Sequence, residues 1–298
     1  MNKPIIKWVG GKNQIMDELI KYFPKEMNNY HEIMIGGGSV IIRMCYLKKN
    51  KEIKVNKIYG YDINEDLINL YDNIKNNPKE LYKRIIKLKE RYNKIEIKNG
   101  NQKPKNKKEG LESKESFYYY CRNKYNNSEM DKIKKSAYFV FLNKTCFRGL
   151  YRIGKNGFNV PYGNYENPEI INLEHLLEIS ELIKEVEFKK LSYVDSFTLI
   201  KSNDFAYLDP PYLPINKTSF TSYMKEEFDH INFFNELKKL NCKWILSNSF
   251  HPTLKEIFSN YKIIDIDVKR NINSKKPNSK TKEYLIINID SNEFLGNF

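Results

Sequence analysis

The chain predicts an α/β fold, one sheet domain interrupted by an insert, and three observations carry that prediction. Short apolar strand patterns alternate with amphipathic helix patterns near both ends of the chain. The middle is unlike the ends: helix patterns, a Lys-rich polar stretch, and a loop rich in Gly, Asn, Arg and aromatic residues. Glycines and acidic residues fall where strand patterns end, which is where open α/β sheets bind their ligands.

In chain order, Ile15, Met16, Leu19 and Ile20 share one helical face within 13–22. Tyr30 to Ile35 reads as a strand running into Gly36-Gly37-Gly38, and Ser39 to Leu47 as the helix after it. Lys57 to Tyr61 is a short strand ending at Asp62, and helical patterns cover 65–74 and 78–92. Asn93 to Ser116 is polar and Lys-rich, and reads as a mobile loop or basic linker. A helix pattern returns over 131–142, and Asn143 to Gly163 reads as a loop with a hairpin. Beyond it, 172–184 and 228–240 read as helices, and 186–193, 205–208 and 244–247 as strands. Lys262–Val268 and Lys282–Ile289 read as a closing antiparallel pair. The resulting organisation is a discontinuous sheet domain, 1–64 and 164–298, around an insert at 65–163.

Among the 298 residues, 51 Lys and Arg face 37 Asp and Glu, a net charge of +14. That excess favours a polyanionic partner through phosphate contacts and counterion release. It does not separate DNA from RNA or an acidic membrane, and Lys-, Asn- and Ile-rich usage is also what an AT-rich genome imposes. With 40% hydrophobic and 30% charged residues the chain can build a core, which excludes bulk disorder. Cys45, Cys121, Cys146 and Cys242 stand at no metal-ligand spacing, so free thiols in a reducing compartment are expected. The N-terminus has no cleavage-site pattern and no window has the apolar length of a membrane span. The expectation is a soluble, cytoplasmic protein (host cytoplasm or virion if viral) with no membrane partner.

The most specific motif is Asp209-Pro210-Pro211-Tyr212 after the apolar run Phe205–Leu208. A strand delivers a carboxylate to a sheet edge, and two prolines remove two N–H donors while leaving their carbonyls as acceptors. An amino group on a flat ring suits this arrangement. Asp209 accepts one N–H, the Pro210 carbonyl accepts the other, and Tyr212 stacks on the ring. Two acceptors would draw the hydrogens out of the ring plane, leaving the nitrogen lone pair less conjugated and more nucleophilic. As a bare tetrapeptide it reads equally as a Pro-rich turn. Trp8-Val9-Gly10-Gly11-Lys12 permits close backbone approach and offers Lys12 to a carboxylate; it lacks the Gly-Lys-Ser/Thr ending of a phosphate loop, and alone it is an N-terminal turn.

Gly36-Gly37-Gly38-Ser39 lets a ligand lie against the backbone and a helix N-terminus. Asp62, ending the next strand, stands where an acid grips a ribose hydroxyl in dinucleotide-type folds, and reads equally as a helix N-cap. Segments 143–152 and 156–163 interleave cationic, amide and aromatic side chains on a Gly-bearing loop. Arg contacts guanine, Asn contacts adenine, and aromatics wedge between base steps. The candidates for DNA contact are Asn143, Lys144, Arg148, Tyr151, Arg152, Lys155, Asn156 and Asn159, with an ordinary polar surface loop as the other reading.

Together and in this order, these segments resemble the D12 (alpha) class of DNA adenine-N6 methyltransferases, of the GATC-methylating type. The family pattern is Lys-Trp-Ala-Gly-Gly-Lys, a Gly-rich donor loop, an Asp-x-Asn strand end, a target-recognition insert and Asp-Pro-Pro-Tyr. Here these stand as Lys7–Lys12, Gly36–Gly38, Asp62-Ile63-Asn64 and Asp209–Tyr212. Asn143–Phe147 with Phe158–Gly163 looks like the family's recognition hairpin, and Leu246-Ser247-Asn248 like its later strand motif. Lys269-Arg270 and Glu283–Ile286 look like its C-terminal strands.

The resemblance implies a Rossmann-like AdoMet-dependent methyltransferase sheet with a mainly helical target-recognition insert. It implies methyl transfer from S-adenosyl-L-methionine to the N6 amino group of adenine in double-stranded DNA after base flipping, at GATC or a related GAT-containing site. The cofactor contacts so implied are Trp8, Lys12, Gly36, Gly38, Asp62, Asp195 and Asp209, Asp195 reading equally as a turn residue. Catalysis falls to Asp209, Pro210, Pro211 and Tyr212, and Phe220 and Tyr223 lie beside the flipped base or pack in the core. No metal is implied. The partners are duplex DNA and a cognate restriction endonuclease, not necessarily in contact, with the enzyme itself a monomer. Two departures stand out: Glu32-Ile33-Met34-Ile35 replaces the family's Glu-Pro-Phe-Val, and 93–116 is longer than usual. The alternatives are an N4-cytosine or RNA-adenine methyltransferase, or a catalytically inactive DNA-binding relative.

Overall fold

The computed structural model describes residues 3–213, 228–269 and 280–296. The chain opens with helix α1 (Met16–Ile20), strand β1 (Glu26–Ile33), α2 (Ser39–Lys49) and β2 (Lys54–Asp62). Helices α3 (Glu65–Asn76), α4 (Pro78–Asn93), α5 (Lys107–Gly110), α6 (Lys114–Asn127) and α7 (Lys132–Thr145) follow. Next come a small hairpin, β3 (Ile153–Gly154) with β4 (Gly157–Phe158), and α8 (Leu173–Leu182). The last stretch holds β5 (Glu187–Lys190), α9 (Tyr193–Phe197), β6 (Phe205–Leu208), α10 (His230–Lys238) and β7 (Lys243–Ser249). It closes with α11 (Pro252–Ile257), β8 (Lys262–Lys269) and β9 (Lys280–Ile287). Two compact units hold these elements, one of 12–63 with most of 185–298, the other of 1–11 with 64–184.

The first unit is built on a seven-stranded sheet of order β5-β2-β1-β6-β7-β9-β8. Five strands run parallel, and β9 lies antiparallel between β7 and β8. This is a mixed, mostly parallel sheet of the Rossmann-like kind that the resemblance implies. From β1 the chain moves outward through β2 to β5, then returns to place β6 on the other side of β1 and moves outward again. The order therefore reverses between β1 and β6, and ligands of open α/β sheets bind at such a switch point, beyond the carboxyl ends of the strands. All four residues of β6 are buried, the continuous apolar run of a parallel strand covered on both faces. On one face Ile33, Ala206, Leu208, Leu246 and Ile286 pack on Phe233, Phe234 and Leu237 of α10. Each such large side chain contributes about 1.5–3 kcal/mol on burial.

Asp204 clips the amino end of β6 to β1. Its Oδ1 accepts from Asn28 Nδ2 (2.8 Å), Asn29 N (3.1 Å) and Asn29 Nδ2 (2.9 Å). Its Oδ2 accepts from Lys201 N (2.9 Å) and lies 3.1 Å from His31 Nε2. The carboxylate only accepts, so Nε2 carries the proton and Nδ1 accepts from the Tyr61 hydroxyl at 3.0 Å. Burial pushes Asp204 up, but the hydrogen bonds and His31 outweigh it and hold the carboxyl below its ordinary value. Burial lowers His31, partly opposed by Asp204. Both folded values lie below the unfolded ones. The stability they contribute is therefore present above pH ~6.5 and is lost as pH falls, first through His31 and then through the carboxylate. Asp204→Ala strands several donors and is expected to cost about 3–5 kcal/mol, read as a lower urea midpoint at pH 7.

The second unit is helical. Helix α7 packs on α3, α4 and α6, and α8 packs on α3 and α4. Asn64, Ser113, Asp131 and Asn172 cap α3, α6, α7 and α8 with side-chain oxygens. Several elements differ from expectation. Helix α6 was not anticipated, because its buried face is made of Phe117, Tyr118, Tyr119, Cys121 and Tyr125, mostly residues with polar handles. The stretch 93–116 is not a loose linker. Glu115 accepts from Gly100 N (3.0 Å) and Gln102 Nε2 (2.8 Å), and Glu109 accepts from Lys105 N and Asn106 Nδ2, each at 2.8 Å. In the sheet unit, β5 stops at Lys190 rather than Tyr193, because Ser192 caps a helix that Tyr193 begins. Helix α11 was likewise unanticipated.

Candidate active site

The carboxyl ends of β1, β2, β5 and β6 bring together Gly36, Gly38, Asp62, Asp195 and Asp209, separated in sequence and neighbours along one sheet edge. Ile33 of β1 pairs with Tyr61 on one side and Leu208 on the other, so Asp62 and Asp209 leave their strands level with each other.

After β1 the backbone turns through three left-handed residues, Met34 (φ 65°), Gly36 (φ 47°) and Gly38 (φ 71°). Met34 lacks glycine's freedom, and holding it there stores on the order of 1–3 kcal/mol of strain. The turn is pinned to β2 by Ile35 N donating to Tyr61 O at 3.0 Å, and by Gly36 N donating to Asp62 Oδ2 at 3.0 Å. Asp62 is buried and does not cap α3; Asn64 does, accepting from Asp66 N and Leu67 N. Gly38 opens α2, whose first residue Ser39 accepts the Lys12 N–H at 3.1 Å.

Lys12 lies 197 positions from its partner. Its ammonium donates to Asp209 Oδ2 at 2.6 Å and stands 5.1 Å from the centre of the Tyr212 ring. The Lys12 side chain is 2% exposed and that of Asp209 22%, so the cation is enclosed while the carboxylate keeps an open side. Burial pushes the Asp209 carboxyl up to about 6, against the opposing pull of Lys12, and Glu283 adds to the rise. The carboxylate is thus ionised at neutral pH, oriented by one cation, and able to accept a further N–H.

Two carboxyls that sequence reading did not single out stand behind it. Glu32 is buried and accepts from the Tyr30 hydroxyl at 2.7 Å; burial and the Asp209 charge hold it well above the usual carboxylate range despite that bond and Lys12. Glu283, paired with Ser249 across β7 and β9, faces Asp209, Tyr207 and Tyr212 and raises all three. The sequence signal was faint, because Glu32 follows the polar run Asn28–His31 and Glu283 follows Lys280-Thr281-Lys282, so each reads as the solvated end of a strand.

Asp195 is exposed and exchanges two bonds with Ser192, its N–H donating to Oγ (3.1 Å) and its Oδ2 accepting from it (2.7 Å). Phe220, Tyr223 and Arg270 lie outside the described residues. Among the described residues no three His, Cys, Asp or Glu come together in a group that could hold a metal ion. The four cysteines are buried and unpaired, with burial raising each thiol. No helix among the described residues is long and apolar enough to cross a membrane.

In the helical unit Trp8 is half-buried, its ring 5.0 Å from Tyr151 and edge-on to Phe139 at 6.5 Å. Tyr151 is buried in that cluster. Asn143 is buried too: its Oδ1 accepts from Lys7 N (2.8 Å), and its Nδ2 donates to Lys7 O (2.8 Å) and Gly149 O (3.2 Å). Both therefore do internal work, holding the N-terminal segment against α7 and the loop after it. Lys144 is half-buried, and burial and Lys7 lower its pKa. Arg148, Arg152, Lys155, Asn156 and Asn159 are exposed. Arg152 Nε donates to Asn159 Oδ1 across the hairpin at 2.6 Å, while Asn126 of α6 grips both the N–H and the carbonyl of Phe158. Beside the hairpin lies a cleft of about 450 Å³, lined by Lys103, Lys105, Arg122, Asn126, Asn156 and Asn159 among others, none of them acidic.

Known proteins are similar to this chain over nearly its whole length. The model of the D12 class N6 adenine-specific DNA methyltransferase family matches residues 8–272. The chain is 36% identical to the type II methyltransferase M.MjaIII of Methanocaldococcus jannaschii, over 96% of this chain and 98% of that protein. It is 31% identical to the type II methyltransferase M1.LlaDCHI of Lactococcus lactis subsp. cremoris (94% and 92% covered). It is 28% identical to a DNA adenine methylase of Haemophilus influenzae (97% and 93% covered). On these matches the chain belongs to the D12 class of N6 adenine-specific DNA methyltransferases.

Proposed function

We propose that this DNA adenine-N6 methyltransferase takes its methyl group from S-adenosyl-L-methionine and acts on an adenine turned out of the duplex, at GATC or a related GAT-containing site. The observation that carries the reading is the ionised, half-open Asp209 held by the enclosed Lys12 beside Tyr212, one strand from the Gly36–Asp62 turn.

The donor edge fits a nucleoside with a charged tail. The turn at 36–38 presents backbone with no side chains, α2 opens there, and Asp62 is held beside it. Trp8 and Asp195 are the further cofactor contacts in this reading. When bound, AdoMet would supply a sulfonium methyl group, which the adenine nitrogen takes as the S–CH3 bond breaks; S-adenosyl-L-homocysteine leaves and the methylated nitrogen releases one proton to solvent. The chain's own part is placement and polarisation. Asp209 accepts one N–H of the exocyclic amine, the Pro210 carbonyl accepts the other, and Tyr212 supports the ring face. Lys12 keeps the carboxylate aimed. Extruding the base costs a few kcal/mol, which phosphate and groove contacts offset.

Those contacts fall to the helical unit in this reading. Arg148, Arg152, Lys155, Asn156 and Asn159 form the exposed reading edge, and the basic cleft beside them suits a phosphate backbone. A monomer suffices for all of these steps. Two of the similar proteins are named type II methyltransferases, which supports a role protecting DNA from a cognate restriction endonuclease.

The test is transfer of labelled methyl from AdoMet to unmethylated duplex DNA, followed by nucleoside chromatography. Label in N6-methyladenine, dependent on a GAT-containing site, is expected. Label in N4-methylcytosine, or transfer to RNA alone, would overturn the substrate assignment, and a labelled product without GAT dependence would overturn the site.

A further inference from the structure

The Asp-Pro-Pro-Tyr segment has an anchoring problem of its own making. Pro210 and Pro211 have no N–H, and the Pro210 carbonyl accepts from the substrate in the reading above, so these two residues cannot fasten themselves to the sheet by donating. The first N–H groups after Asp209 are those of Tyr212 and Leu213. At Leu213 the chain is held from both sides by consecutive residues at the end of β7. Asn248 Oδ1 accepts the Leu213 N–H at 3.3 Å, and Ser249 Oγ donates to the Leu213 carbonyl at 3.5 Å.

The Asn248 amide has only one possible orientation. Its Oδ1 also accepts the Ser249 N–H at 2.9 Å, and two backbone donors require an oxygen at that end of the amide. The Nδ2 must then point the other way, where it is buried without a hydrogen-bond partner among the described residues. Asn248 is 0% exposed. An orphaned buried donor works against stability. Its oxygen, by contrast, holds two backbone donors.

We propose that Asn248 is a positioning residue for methyl transfer: its side-chain oxygen, seconded by Ser249, fixes Leu213 and thereby sets where Asp209, the Pro210 carbonyl and the Tyr212 ring stand relative to the sheet edge. This rests on the methyltransferase reading above. Register supports it. Leu208 pairs with Leu246, so β6 ends two residues before Asn248, and the four-residue segment is spanned between the strand end and this clamp. Lys12 secures the first residue of the segment and Asn248 the residue just after its last.

The test compares Asn248→Ala, Asn248→Asp and Ser249→Ala with the wild type in single-turnover methylation at saturating DNA and AdoMet, with AdoMet affinity by calorimetry and thermal melting as a check of the fold. Misplacing reacting groups by about 1 Å costs about 10²-fold, so Asn248→Ala is expected to slow the chemical step by about 10- to 100-fold while AdoMet affinity stays within about 3-fold. Asn248→Asp keeps an acceptor oxygen in either protonation state and is expected to recover most of the lost rate. Ser249→Ala removes the weaker bond and has a smaller effect. A folded Asn248→Ala protein with wild-type rate, or equal losses in Asn248→Ala and Asn248→Asp, overturns the proposal. If Asn248→Ala does not fold, a slow Asn248→Asp protein overturns it. Failure of the methyltransferase reading is distinct: the wild type itself would then transfer no label to adenine.

Discussion

Asp209→Ala lowers single-turnover methylation by at least about 10³-fold in a protein that still folds. Removing one preorganised hydrogen-bonding group from a transition state costs about 10²–10³-fold in well-studied sites, and here the lost group also orients the substrate amine. The fold is expected to persist because the ionised carboxylate is not a stabilising feature. Burial raises its pKa to about 6, above the ordinary carboxylate value, so the folded state binds this proton more tightly than the unfolded chain does. The charge therefore works against stability above that range. What the substitution does leave is an enclosed Lys12 without its 2.6 Å partner. Asp209→Asn separates the two effects, keeping an oxygen for Lys12 while turning an NH2 group, which cannot accept, toward the amine. The measurements are label transfer and thermal melting side by side. A folded Asp209→Ala protein that still methylates DNA at a wild-type rate sinks the mechanism.

Lys12→Met has the second largest effect, and it is pH-dependent. In the wild type the rate requires the ionised carboxylate, so kcat/KM is expected to fall as pH drops through about 6. Lys12 is what holds that value down against burial and Glu283. Without the ammonium, burial acts unopposed and the acid limb moves up. Each unit by which the limb passes the assay pH costs about 10-fold in rate. The variant is thus expected to be about 10- to 100-fold slower at pH 7 and to regain part of that loss at pH ~9. The diagnostic is the full pH profile. An unmoved limb in the variant would show that Lys12 does not set the ionisation of Asp209, and uniform loss at every pH would mean that it acts through donor binding instead.

Much of the fold lies in local pattern. Strand β6 was bounded to the residue, because four consecutive apolar residues before Asp-Pro-Pro can be little else. The Gly36–Gly38 turn, the strand ending at Asp62 and the closing β8–β9 pair were legible for the same reason: periodicity and turn chemistry act over a few residues. Helix α6 escaped because tyrosine serves equally as core and surface, so its period is faint until a neighbour covers one face. The order in 93–116 escaped because Glu109 and Glu115 act as local acceptors for a polar segment, which composition alone reads as solvated.

The site divides along the same line. The family motifs identified the chemistry, because each is a short string whose residue types already state what they can donate or accept. Their roles toward one another came only with folding. Lys12 meets Asp209 across 197 residues, and nothing in either segment selects the other. Asn143 has the residue type of a base contact, yet its amide is spent on Lys7, because the fold brings an unpaired stretch of backbone to it. Glu283 and Asn248 become neighbours of Asp209–Tyr212 through strand order alone, which sets β7 beside β6 and β9 beside β7. The sequence by itself determined the parallel strands, the turns that end them and the reaction that their motifs suit. The tertiary structure decided which side chains share a charge, a hydrogen bond or a buried wall, because long-range pairing depends on strand order and burial rather than on any local preference.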